Sequence, residues 1–343
     1  MSAHDESPQK HGEGESFSAI ILAAGKGTRM LSAQPKVLHR ILGRSMLGWV
    51  LSALREAACE RGILVLGHGR AQIEAELAQR HSGLQLRVAH QREQKGTADA
   101  VRAALECAQP EDAEWFMIVY GDVPCMSASA LERLFEARVA GGLAFLSMRV
   151  EDPTGYGRVI RDAEGQVLRI VEDRECSPEE RLVNEVNSGI YCVEQSFLRR
   201  HLARVQAREG ATRELYLTDL VELAVTQGAG AVALEDAQAE TLMGVNDRVQ
   251  LAEATAVLRR RLNRDWMRRG VSLEAPEHTQ LEPEVELAED VFIEAGAVLR
   301  GRCRVGRGAR IGAHAVLQDC VVEEDAVVEP LTLHEGVRLR GLA

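Results

Sequence analysis

The chain has 343 residues, long for one domain, and its 45% hydrophobic content can bury a sizeable core, which excludes global disorder. A net charge of −11 excludes nonspecific nucleic-acid binding, so an anionic ligand needs a local basic pocket. No apolar run reaches the about 18 residues that cross a membrane, and aromatics make up only 4%, which points to a core of Leu, Val, Ala and Ile.

In chain order, residues 1–16 are polar and acidic without an apolar h-region, and read as a disordered tail rather than a signal peptide. Beyond Phe17, short apolar runs alternate with longer amphipathic segments. Strands are expected at Ala19–Leu22, Gly62–Leu66, Leu86–Ala89, Trp115–Tyr120, Leu143–Val150 and Gly189–Val193. Helices are expected at Met46–Ala58, Arg70–Gln79, Ala98–Cys107 and Ala128–Val139. This alternation predicts a mostly parallel, three-layer α/β domain whose ligands sit beyond the carboxyl ends of its strands. Asp247 to Arg269 then reads as one bridging helix, with Leu251, Ala254, Leu258 and Leu262 on one side and Gly270 as its stop.

After Val271 the pattern changes. Leu281, Leu287, Ile293, Leu299, Val305, Ile311 and Leu317 recur every six residues, and Val285, Val291, Ala297, Cys303, Ala309, Ala315 and Val321 lie four beyond them. A helix cannot keep a six-residue period on one face, whereas a three-sided parallel β-helix can. Three or four coils fit, and the repeat loosens from Val322. The seven cysteines (Cys59, Cys107, Cys125, Cys176, Cys192, Cys303, Cys320) show no CxxC or metal-ligand spacing, and fit buried free thiols in a reducing cytoplasm.

The first chemistry-bearing segment is the loop Gly25-Lys26-Gly27-Thr28-Arg29, which follows a strand and brings glycine N–H groups and cations to one place. It is not a Walker A loop, because GxxxxGK[ST] is not satisfied. Nor is it the dinucleotide fingerprint, since Met30 occupies the third glycine of GxGxxG. Arg29 and Lys36 supply two cations within a dozen residues, and a carboxylate, Asp122, follows the apolar run Trp115–Tyr120 at a strand terminus. From spacing alone Asp122 reads equally as a turn residue before Pro124, and Asn246 reads as a helix cap.

"LAAGKGTRM" followed by "QPKVLH" resembles the signature of bacterial sugar-1-phosphate nucleotidyltransferases. The resemblance is strongest to the N-acetylglucosamine-1-phosphate uridylyltransferase half of the bifunctional enzymes that make UDP-N-acetylglucosamine. It continues in order through "GHG" (Gly67–Gly69), "QREQKGTADAV" (Gln91–Val101), "YGDVP" (Tyr120–Pro124) and "DPTGYGRV" (Asp152–Val159). "IVE" (Ile170–Glu172), "EVNSGIY" (Glu185–Tyr191), "ELYLTD" (Glu214–Asp219) and "GVNDRVQL" (Gly244–Leu251) follow. The resemblance implies a Rossmann-like nucleotidyltransferase domain of the GT-A-like kind at 17–246, a linker helix at 247–270 and a short left-handed β-helix at 271–343.

What it implies chemically is uridylyl transfer from UTP to N-acetylglucosamine 1-phosphate, with Mg²⁺ as cofactor. Arg29 and Lys36 are the implied catalytic cations, and Asp122 and Asn246 the implied metal ligands. Leu22, Ala23, Ala24, Gly25, Gln91, Gly96 and Thr97 are expected around the base. Tyr120 and Gly121 are expected beneath the metal, and Gly157, Glu172 and Asn187 around the sugar. Homotrimers through the β-helix, a cytoplasmic location, and no membrane or nucleic-acid partner complete the expectation.

Three departures bear on it. Asp99 stands where the family pattern has His in "GTxHA", a variant shared with transferases that use glucose 1-phosphate, so that substrate stays open. "DRECS" after Glu172 lacks a lysine, and "NSG" replaces "NTG". The acetyltransferase motifs of the longer relatives do not follow the β-helix repeats, so acetyl transfer is expected to be absent. A non-catalytic sugar-nucleotide-binding protein is the reading from another class; the set Arg29, Lys36, Asp122 and Asn246 speaks against it, because binding alone does not need all four.

Overall fold

The computed structural model describes residues 16–79, 83–109, 113–206 and 214–341, so the expected tail lies outside the described residues except for Ser16. All seven residues of the strand Phe17–Ala23 are buried, because it lies inside the sheet with helices over both faces. Burial on both faces is why its stretch Ala19 to Leu22 reads as an unbroken apolar run instead of an alternating one. It pairs in parallel with Arg61–Leu66 on one side (Ile20 opposite Ile63) and with Trp115–Tyr120 on the other (Ile20 opposite Ile118). Gln85–His90 extends the sheet beyond Arg61–Leu66.

The chain thus builds outward from Phe17–Ala23 and then returns to its other side. This reversal opens a crevice at the carboxyl ends of Phe17–Ala23 and Trp115–Tyr120. The helices Met46–Glu56, Arg70–Gln79 and Ala128–Glu136 cover one face, and Thr97–Cys107, Gln195–His201 and Asp219–Thr226 cover the other. Two apolar cores result, one on each side of the sheet.

The expectation of a mostly parallel sheet holds along the main strand order, in which one described strand alone is reversed. Glu185–Glu194 runs antiparallel to both Trp115–Tyr120 and Leu143–Arg149, and a hairpin, Arg158–Arg161 with Val167–Val171, hangs from it. The hairpin reverses through Asp162 to Gln166, with Gly165 at φ 82°, a turn too short to hold a crossover helix. Ala231–Glu235 closes the far edge in parallel with Leu143–Arg149. Glu185–Glu194 also begins four residues earlier than expected, because a bulge between Asn187 and Tyr191 interrupts its pairing.

The bridging helix runs Arg248–Arg268, and its cap is Asp247, whose side chain accepts from Gln250 N. Asn246 is therefore free of the capping role. Ala254 and Leu258 are buried against Ile41, Leu42, Met46 and Trp49, with Leu251 and Leu262 packed on the same cluster. At the other end Trp266 packs on the β-helix core, and buried Asn263 donates from Nδ2 to the carbonyls of Pro276 and Thr279, at 2.6 and 2.9 Å. Arg44, in the α/β domain, reaches Glu284 of the β-helix at 2.9 Å.

The β-helix has three four-stranded parallel sheets, one per side. The first pair, Ser272 with Phe292, is 20 residues apart, and from Gln280 strands pair with those 18 residues on, as Gln280 with Val298 and Val298 with Val316. Beyond Gln318 the offset falls to 17, as Arg304 with Val321 and Val316 with Leu333. The repeat therefore shifts phase at the point where it was expected to loosen. Cys320 is fully buried in the place expected for Val321, and Val322, Ala326 and Val328 continue the core. The corner is one residue shorter: Asp319, at φ 51°, takes the place that Gly301 holds at φ 61° one coil earlier, and buried Cys320 follows it directly, whereas Arg302 stands between Gly301 and buried Cys303.

Candidate functional site

The crevice floor is built by backbone. The peptide N–H of Gly121 donates to Leu22 O at 2.9 Å, which brings Gly121-Asp122 beside the glycine loop. The loop then folds against Lys36. Gly27 has φ 60°, and a Cβ there would lie 2.6 Å from Lys36 Cβ, so only glycine lets the loop close this tightly.

Lys36 Nζ donates to Asp122 Oδ2 and, at 3.0 Å, to Asn246 Oδ1. These three groups come from distant segments and meet in a partly buried spot, with Lys36 and Asp122 side chains only 13% and 17% exposed. Val245 N donates to Asp122 O at 2.8 Å, so the backbone also ties the two metal-ligand candidates together. Arg29 lies on the short turn Thr28–Met30, is exposed, and makes no ion pair among the described residues. The structure does not bring it into the Lys36 cluster. Its charge is felt at Tyr156, whose phenol is pushed up by burial and then by Asp122, with Arg29 opposing.

On the base side, Gln91 is buried and its Nε2 donates to Gly96 O at 3.0 Å and Asp99 Oδ2 at 2.9 Å. Thr97 Oγ1 accepts from Leu217 N at 2.9 Å. Leu22, Ala23 and Ala24 are buried and Gly25 is exposed. Ala24 O accepts from Gln94 Nε2 at 2.9 Å and from His68 N at 3.3 Å, so its carbonyl is engaged within the protein.

On the sugar side, Asn187 N donates to Gly157 O at 2.8 Å, and Glu172 Oε1 accepts from Thr218 Oγ1 at 2.8 Å. The Asn187 amide donates to Tyr191 Oη at 2.6 Å and accepts from Gly189 N at 3.0 Å, which holds the bulge. Tyr120 joins the two sides. Its phenol is pushed well up by burial and then by Glu172, and it hydrogen-bonds Thr97. Its ring lies on Gly189, where a Cβ would come within 2.6 Å of Tyr120 Cε2 at a φ of 83°.

Sequence reasoning assigned no role to Gln94, Gly189, Thr218, Tyr156 or Arg248. Arg248 donates to Met30 O at 3.3 Å and lies 3.4 Å from His39 Nδ1, so the bridging helix props the glycine-rich turn. All five lie inside quoted motifs, but their partners are remote in the chain and spacing could not reveal them. The cysteines take no part: all seven are free, and burial pushes Cys59 to about 11 and Cys125 and Cys192 to about 12.

Asp122 and Asn246 direct two oxygens at a single cation, the Lys36 ammonium. One carboxylate and one amide carbonyl, with phosphate oxygens completing the shell, suit a hard divalent ion. Among the described residues no group of three or more His, Cys, Asp or Glu forms a self-contained metal site. The donors thus fit a magnesium-like ion shared with a bound phosphate.

Residues 18–266 match the nucleotidyl transferase family, and residues 284–319 match the bacterial transferase hexapeptide repeat. The chain is 44% identical over 309 residues to the bifunctional protein GlmU of Trichlorobacter lovleyi, covering 90% of this chain and 66% of that one. It is 40% identical over 334 residues to the protein of the same name from Syntrophotalea carbinolica, covering 96% and 69%. With that of Thermus thermophilus it shares 42% identity over 321 residues, covering 93% and 69%. The chain spans about two thirds of the length of these relatives.

Proposed function

Since the chain belongs to the nucleotidyl transferase family, we propose that it transfers a uridylyl group from UTP to N-acetylglucosamine 1-phosphate, releasing UDP-N-acetylglucosamine and pyrophosphate. The observation that carries this reading is the convergence of Lys36, Asp122 and Asn246 below the glycine loop, at the carboxyl ends of the strands. In the reaction a phosphate oxygen of the sugar 1-phosphate forms a bond to the α-phosphorus of UTP, and the bond from that phosphorus to the bridging oxygen breaks. Such a transfer needs in-line positioning and charge neutralisation more than covalent help.

Residues 17–246 carry the chemistry in this reading, 247–270 link, and 271–343 form the β-helix. The glycine loop and Arg29 receive the triphosphate, and the free guanidinium is available to an incoming anion. Lys36 neutralises charge developing at the α-phosphate, and must let go of Asp122 in part when UTP enters. Asp122 and Asn246 hold Mg²⁺, which supplies further neutralisation of the phosphate oxygens when bound. Gln91, Gly96, Thr97 and residues 22–25 face the uracil, with Tyr120 and Gly121 below. Gly157, Glu172 and Asn187 face the sugar, where a carboxylate and an amide suit hydroxyl and acetamido groups.

We also propose a homotrimer through the β-helix, whose side bearing Val298, Val316 and Leu333 stacks apolar residues outward in register. A cytoplasmic location is supported by the seven free thiols, and no described helix is long and apolar enough to cross a membrane.

The test crosses UTP, dTTP and ATP with the 1-phosphates of N-acetylglucosamine and glucose, in Mg²⁺, reading pyrophosphate release. UTP with N-acetylglucosamine 1-phosphate is expected to lead the other pairs by at least about tenfold in kcat/KM. A lead for glucose 1-phosphate would move the assignment to that sugar, and no turnover with any pair would sink it.

A further inference from the structure

Gln91 is 5% exposed, and its side-chain amide spends both Nε2 hydrogens inside the protein, one on the carbonyl of Gly96 and one on the carboxylate of Asp99. Both partners are acceptors only: a peptide carbonyl has no proton to give, and neither has an ionised carboxylate. Turning the amide over would set Oε1 against two oxygens in a place with little water to intervene. The orientation of Gln91 is therefore dictated by its neighbours. With both N–H groups used, Oε1 is the one amide atom left to address a ligand, and it is an acceptor.

We infer that Asp99 is a specificity-positioning residue: it locks Gln91 with its carbonyl oxygen presented to the base, so that the subsite demands a ring N–H. This inference rests on the proposed reading of Gln91 as a base contact. An imide ring such as uracil or thymine offers N3–H to that oxygen. Cytosine offers a bare N3 lone pair at the same edge, which would leave two acceptors facing each other. Asp99 itself is steadied by Arg102, 3.9 Å away, and sits in the first turn of the helix Thr97–Cys107, where a carboxylate is favoured by the N-terminal dipole. Gly96 O alone would engage only one of the two hydrogens and would hold the amide less firmly.

The test measures kcat and KM for UTP and CTP at saturating sugar 1-phosphate, with the full chain and four variants, each checked for folding by thermal melting. For Asp99→Ala the UTP KM should rise about tenfold, the loss of one oriented hydrogen bond, with kcat little changed. The preference for UTP over CTP should fall by a similar factor. Asp99→Glu, an acceptor of the same charge, should restore much of that preference. Asp99→Asn keeps the volume but can also donate, so it should lower the preference too, and it decides the matter if Asp99→Ala does not fold. A preference unchanged in the folded Asp99 variants, with both nucleotides weakened alike, would make Asp99 a packing residue and overturn the proposal. Gln91→Ala separates the two layers. It should abolish most of the preference; if it leaves the preference intact, the base-contact reading fails and the inference falls with it. A Gln91 effect without an Asp99 effect refutes the positioning role alone.

Discussion

In the β-helix up to Leu317 the inward side chains follow a repeat of six residues, whereas in the α/β domain Lys36 meets Asp122 and Asn246 across 86 and 210 residues of chain. The first region is nearly one-dimensional: each coil rests on the next, and its stability is close to a sum over neighbours. The second is assembled by topology, because a sheet that reverses direction brings remote loops to one end. The difference teaches that stability and chemistry are housed separately here, and substitutions should tell them apart.

The largest effect is expected at the site. Asp122→Asn keeps the side-chain shape but removes the charge from the metal position, and should lower kcat/KM by about 10³-fold with little change in Tm. Normal turnover in this variant would show that the metal position is misplaced. Next comes the β-helix: Ile311 is fully buried, and Ile311→Ala should destabilise by about 2–5 kcal/mol through the cavity it leaves. Its kcat below the melting temperature should match the parent. A fall in kcat there would break the comparison, and would point to coupling through the Arg44–Glu284 contact.

The smallest effect is a pH dependence that sharpens the boundary between the regions. His39, under the bridging helix, has its pKa lowered below the usual 6.5 by burial and then by Arg248. The folded state keeps it neutral while the unfolded chain takes up a proton, so stability is full above about 6.5 and declines as pH falls toward the lowered value. His201 is shifted the same way, by burial and then by Arg204. Thermal melting should therefore show Tm dropping below about pH 6.5, and His39→Gln should flatten part of that slope. A slope unchanged by His39→Gln would place the titration elsewhere.

The strands that flank the crevice were legible because burial on both faces leaves uninterrupted apolar runs, as in Ala19 to Leu22 and in Trp115–Tyr120. The edge strand Ala231–Glu235 was not, although Ala231 to Leu234 is also apolar; it lies at the sheet edge, where its residues stay partly or fully exposed. Nor was the hairpin Arg158–Arg161 with Val167–Val171, whose polar residues break the alternation. The phase shift at Asp319 was hidden because Cys320, Val321 and Val322 are all apolar, and only the corner geometry selects which of them points inward. Among the site residues, Asp122 stood out as a charge at the end of an apolar run, and Lys36 as a second cation close behind the glycine loop. Gly189 did not, because its reason is the Tyr120 ring laid over it.

By itself the amino-acid sequence determined what depends on near neighbours: the six-residue repeat, the apolar strands, the glycine-rich turn and the span of the bridging helix. Backbone preference and burial pattern act over a few residues, so a linear reading captures them. The tertiary structure alone decided which groups share a hydrogen bond or a contact: Lys36 with Asp122 and Asn246, Gln91 with Asp99, Tyr120 against Gly189. Those meetings arise from the order in which strands join the sheet, and the free energy of a paired or unpaired buried polar group depends on distances that no local window contains.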